Sequence, residues 1–202
     1  GDETFIESAA AYGLDDTNIS TMASFFDYDK DGDLDCFVLN ESKYTLVAHK
    51  AIFEDLKKKE NLQRASCNLY RNDNGKFINV TEKAGMLRWS FGLGLVTSDF
   101  NNDSWPDVYV ANDYSVPDVM YINNGDGTFT DRIKEKTGQT SFYSMGIDVA
   151  DVNNDGYQEI GDIFLQFTLA GIVRDVQVSI LPAGCINYRN IITHKIQFTN
   201  MF

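Results

Sequence analysis

Three nine-residue segments of this 202-residue chain align without gaps: DYDKDGDLD at 27–35, DFNNDSWPD at 99–107 and DVNNDGYQE at 151–159. Each carries carboxylate or amide oxygens at positions 1, 3, 5 and 9. A phenylalanine lies 22 residues before the first Asp in all three: Phe5, Phe77 and Phe129, within ETF, GKF and GTF. A chance acidic cluster would not keep that phase three times, so the chain is built from repeated units. The units are 72 and then 52 residues apart. The first therefore holds about 20 extra residues, between Asn40 and Cys67.

The flanks of each segment read as strands. Residues 22–26 and 36–39, and again 93–96 and 108–111, are short runs rich in β-branched, aromatic and small apolar residues bounded by turn formers. Later in each unit, 69–70 and 120–122 are followed by Asn74-Gly75 or Asp126-Gly127, then by 77–80 or 128–130. Such dipeptides supply the positive φ angles of a hairpin turn. Four short strands per unit predict an all-β fold: a partial β-propeller of about three four-stranded blades. The blades span 1–163, with a helical insertion near 41–66. In that insertion Ile52, Leu56 and Phe53 mark one face of a short surface helix over 51–62. Phe5, Phe77 and Phe129 are expected to be equivalent core residues.

The nine-residue loops present the ligands that a hard cation takes, since Ca²⁺ binds about six to eight oxygens at roughly 2.3–2.6 Å. The candidate side-chain ligands are Asp27, Asp29, Asp31 and Asp35; Asp99, Asn101, Asp103 and Asp107; and Asp151, Asn153, Asp155 and Glu159. Position 7 would add the backbone carbonyls of Asp33, Trp105 and Tyr157. Gly32 and Gly156 sit at the sharp turn at position 6, where loop two has Ser104. Like charges this close repel by several kcal/mol at effective protein dielectrics, so without a cation the loops should splay or take up protons. Up to three Ca²⁺ ions are expected; Mg²⁺ demands a smaller octahedral shell. An EF-hand needs Glu at position 12, and here that position is Val38, Val110 or Asp162 between β-like flanks. The competing reading is three acidic turns without metal.

Composition narrows the function. Thirty acidic side chains against 17 basic give a net charge of −13, unsuited to neutralising phosphates, so no nucleic-acid partner is expected. No apolar run is long enough for a membrane-spanning helix. His49 and His194, with Cys36, Cys67 and Cys185, form no zinc-type spacing. The cysteines read as three small buried side chains or as one bridge with a thiol left over. Neither a Ser-His-Asp signature nor a Gly-rich phosphate loop is present. The N-terminus lacks the layout of a signal peptide.

The three loops, with Phe91-Gly92 ahead of the second and Met145-Gly146 at the matching place in the third, resemble the FG-GAP (or VCBS) repeat family. Unit one has Ser20-Thr21 there. Residues 99–129 are similar to bacterial secreted relatives of cartilage acidic protein. The resemblance implies an integrin-α-like propeller, with Ca²⁺ in the aspartate-rich hairpins and an extracellular, periplasmic or cell-surface location. It covers residues 1 to about 163. Beyond that, one acidic residue, Asp175, remains of the 30. Residues 164–202 read as a divergent strand region, an inter-domain segment or a frame-altered sequence.

Three functions are compatible with this pattern. The first is a non-catalytic calcium-binding segment for adhesion, or for recognition of a glycan or protein. The second is the scaffold of a polysaccharide-acting enzyme, and the third a purely structural arc. Closed propellers hold about four to eight blades, so the expectation is an open arc whose further blades belong to a parent protein.

Overall fold

The structure is a computed structural model describing residues 4–41, 54–113, 116–137, 143–166, 175–182 and 192–197, from residue 162 onward as backbone only. It contains three antiparallel four-stranded sheets, each a meander in chain order. The first comprises β1 (Ile19–Phe26), β2 (Asp35–Glu41), β3 (Asn68–Asn72) and β4 (Phe77–Asn79). The second comprises β5 (Gly92–Ser98), β6 (Asp107–Asn112), β7 (Val119–Asn123) and β8 (Phe129–Asp131). The third comprises β9 (Ser144–Ala150), β10 (Glu159–Gln166), β11 (Asp175–Pro182) and β12 (Ile192–Gln197). First strands face one another across the sheets, β5 touching both β1 and β9. The fold is the expected partial propeller, and it is not closed. In the tail, β11 and β12 complete the third sheet.

Apolar layers between sheets hold the arc together. Phe37, Leu39 and Leu69 of the first sheet pack with Leu95, Val108, Val110 and Tyr121 of the second. On its other side the second sheet packs Tyr109, Ala111, Met120 and Ile122 with Ile160, Ile147 and Val149 of the third. β2, β6 and β7 are buried on both faces, which accounts for their lack of polar alternation. The outer face of the first sheet presents Cys36, Val38 and Tyr70 to Leu14 and Phe77. Asp16 fastens the N-terminal stretch there, accepting hydrogen bonds from Asn40, Asn68 and Tyr70.

Two features of β5 were not legible in the sequence. First, each leading strand carries a bulge at the same register: between Ser20 and Met22, between Gly92 and Gly94, and between Ser144 and Gly146. This register makes Ser20, Gly92 and Ser144 equivalent, which corrects the placement of Met145-Gly146 opposite Phe91-Gly92; Gly146 matches Gly94. Second, a Cβ on Gly92 would overlap the buried side chain of Leu39, so this glycine lets β5 lie close against the first sheet.

The three phenylalanines are not equivalent. Phe129 opens β8 between two sheets and is buried beside Tyr28, ring centroids 5.9 Å apart. Phe77 opens β4 on the outer face and is half-buried, edge-on to Phe25. Phe5 is fully exposed and lies in no strand, so no neighbouring sheet covers it.

The expected insertion helix is interrupted. A helical turn at 54–56 and α2 (Lys59–Gln63) flank Lys57-Lys58, while residues 42–53, with Ile52 and Phe53, lie outside the described residues. The other helices are α1 (Ala9–Tyr12) and α3 (Ile133–Thr137). Cys36 and Cys67 are buried free thiols; Cys185 lies outside the described residues. Among the described residues no helix is long and apolar enough to cross a membrane.

Candidate metal centre

The three acidic segments are the connections of hairpins β1–β2, β5–β6 and β9–β10, not of helices, and they share one hydrogen-bond frame. The position-1 carboxylate accepts the N–H groups of positions 5 and 6. Asp27 takes Asp31 and Gly32 at 3.1 Å each, Asp99 takes Asp103 and Ser104 at 3.1 and 2.7 Å, and Asp151 takes Asp155 and Gly156 at 3.1 and 2.9 Å. The position-5 carboxylate accepts the N–H of position 7 in each loop. These side-chain-to-backbone bonds replace a strand ladder through the turn, a role that Asp and Asn fill readily. Position 4 is left-handed in all three, with φ of 58°, 59° and 57° at Lys30, Asn102 and Asn154. Position 6 is also left-handed; Gly32 and Gly156 adopt it freely, whereas Ser104, at φ 72°, does so at a cost of about 1–2 kcal/mol.

Position 9 anchors each loop to its sheet. Asp35 accepts the N–H of Tyr28 (3.0 Å) and of Asn72 on β3 (2.8 Å). Asp107 accepts Phe100 (2.9 Å) and Asn123 on β7 (2.8 Å) in the same way. Glu159, one methylene longer, accepts Val152 and the Asn153 amide. Burial pushes the carboxyls of Asp35 and Asp107 up to about 6, reinforced by neighbouring aspartates and opposed by the two backbone N–H donors each one holds. Burial and the charge of Asp31 also raise Asp29.

Position 3 separates the loops. Asn101 bonds Asp103 through both ends of its amide, Oδ1 accepting the backbone N–H at 3.0 Å and Nδ2 donating to Oδ2 at 2.7 Å. Asn153 does the same to Asp155. Asp29 has no donor to offer, and its buried Oδ1 has no hydrogen-bond partner. The buried Oδ1 of Asp33 has none either. Ligand atoms of Asp27, Asp29 and Asp35 lie within 4.8 Å of one another, the one such group of His, Cys, Asp or Glu side chains among the described residues. Two oxygens on one Ca²⁺ can be at most about 5 Å apart, so this trio and its unpartnered oxygen fit that ion. Asp31 stands outside the trio. At Asp33 the sequence pointed to the carbonyl, whereas the structure draws attention to the carboxylate. Asn72 and Asn123, which hold the position-9 carboxylates, were missed because their role depends on strands paired far along the chain.

Residues 99–161, from the start of loop two into β10, match the FG-GAP-like repeat family, so the chain carries an FG-GAP-like repeat. Such repeats are typically non-catalytic and typically occur in extracellular or surface proteins. A search of curated proteins found no match.

Proposed function

We propose that the chain is a non-catalytic, calcium-binding arc of a β-propeller from an extracellular, periplasmic or cell-surface protein. In this reading it presents a surface for adhesion or for recognition of a glycan or protein, and further blades of the parent protein extend the arc. The observation that carries it is the gathering of carboxylate oxygens of Asp27, Asp29 and Asp35 within 4.8 Å of one another, in a loop where the buried Oδ1 of Asp29 has no hydrogen-bond partner. In loop one Asp27, Asp29 and Asp35 would hold the ion, Asp31 would set the turn, and the ion would supply the positive charge the aspartates lack. Loops two and three would use Asp99, Asn101, Asp103 and Asp107, and Asp151, Asn153, Asp155 and Glu159. Ca²⁺ suits these flexible all-oxygen loops better than Mg²⁺, and an extracellular setting suits weak modular sites. Calorimetric titration with Ca²⁺, against Mg²⁺ as control, tests the reading: uptake of Ca²⁺ with a raised melting temperature is expected, and no heat with either ion would overturn it. Glycan and protein panels probed with and without Ca²⁺ test recognition.

A further inference from the structure

Asn123 ends β7 and is 2% exposed. Its backbone N–H donates to Asp107 Oδ1 at 2.8 Å, and its Oδ1 accepts the Gly125 N–H at 2.9 Å. That second bond fixes which end of the amide is the donor. Nδ2 then donates to two carbonyls: Pro106 at 3.2 Å, in loop two, and Tyr28 at 2.8 Å, in loop one. Asn72 in the first sheet makes the matching bonds to Asp35, Gly75 and Leu34. The bond to Tyr28 is the one that crosses between sheets.

Tyr28 lies between Asp27 and Asp29. Its peptide is held on both sides, the N–H by Asp35 and the C=O by Asn123. One buried side chain therefore joins the position-9 anchor of loop two to the backbone that aims two oxygens of loop one. A second link lies nearby, with Lys30 Nζ 4.2 Å from the centroid of the Trp105 ring.

We propose that Asn123 is a positioning residue that links cation binding in loop one to cation binding in loop two. This rests on the calcium reading above. Fixing Asp107 on an ion fixes Asn123 and, through Tyr28, orders Asp27 and Asp29. By linkage an ion in loop one must favour loop two to the same degree.

The test uses the full chain in a Trp89→Phe background, which leaves Trp105 as the one tryptophan. With Lys30→Gln added to every variant, which takes the loop-one ammonium off the ring, its emission during Ca²⁺ titration follows loop two, and calorimetry counts the sites. Asp29→Asn, which weakens loop one, should shift the loop-two midpoint to about fivefold higher Ca²⁺, the scale set by one buried hydrogen bond. With Asn123→Ala the same change should shift it less than about twofold. A purely structural role for Asn123 would lower the melting temperature and leave the fivefold shift in place, which would overturn the proposal. A loop-two midpoint that ignores Asp29→Asn while calorimetry still records Ca²⁺ uptake overturns the linkage and spares the calcium reading. No uptake by either loop overturns both. Should Asn123→Ala fail to fold, Asn123→Ser, whose shorter side chain does not reach the Tyr28 carbonyl, takes its place in the second comparison.

Discussion

Loops one and two share a backbone frame and differ in how their charge is managed. In loop two the Asn101 amide donates to Asp103, so an internal hydrogen bond answers part of the negative charge. In loop one the same position is Asp29, whose buried Oδ1 has no donor. The difference shows that the frame and the balance of charge within it are separable. The frame comes from positions 1, 5 and 9 and forms in both loops. The balance turns on position 3, and loop one leaves a buried carboxylate oxygen there without a donor.

The largest expected effect tests the shared frame. Asp35→Ala or Asp107→Ala removes the acceptor of two N–H groups and should cost about 3 kcal/mol of stability in chelator, read by urea denaturation. Markedly unequal costs would break the equivalence of the two frames. Next comes the cation. At a hundredfold excess over Kd, Ca²⁺ in loop one should add about 2.7 kcal/mol, seen as a higher melting temperature. Asp29→Asn, which leaves at position 3 the neutral amide oxygen that loops two and three have, should cut that gain by about half.

A smaller effect sharpens the comparison. In chelator Asp29→Asn gives loop one the amide donor that loop two already has, and should stabilise the protein by about 1 kcal/mol. The variant would thus be less stable than the parent in Ca²⁺ and more stable without it. A variant that is weaker by the same amount in both conditions would mark loop one as an ordinary acidic turn.

The last effect, about 1 kcal/mol for each anchor between pH 5 and pH 7, is the response to pH. The folded carboxyls of Asp35 and Asp107 titrate at about 6, above an unfolded value of about 3.9. Between those values the folded state binds more protons than the unfolded state. The stability these two groups contribute is therefore full below about pH 4 and is lost as pH rises through about 6. Asp29 and Asp33 lean the same way, and Asp73 and Asp126 the other. In chelator, Asp35→Asn and Asp107→Asn should each flatten the fall in the urea midpoint between pH 5 and pH 7, and by similar amounts. A change confined to one of them would mean that the two anchors are buried differently.

The sequence by itself determined the hairpin loops, the four-strand units and the phase of the repeat. These rest on interactions within a few residues: an aspartate reaching the N–H four and five positions on, a glycine accepting a positive φ, and short apolar runs closing a hairpin. Spacing alone encodes such contacts, and three copies made the spacing readable. Tertiary structure decided what depends on partners distant in the chain. It buried Phe129, half-buried Phe77 and left Phe5 exposed, although all three occupy one phase of the repeat. It set the bulges that make Gly92 and Ser144 equivalent, and it pressed Gly92 against Leu39. It also brought Asn123 to Tyr28 across 95 residues of chain. An asparagine at the end of an apolar strand reads as a turn former, and only the approach of a neighbouring sheet gives its second donor bond a partner.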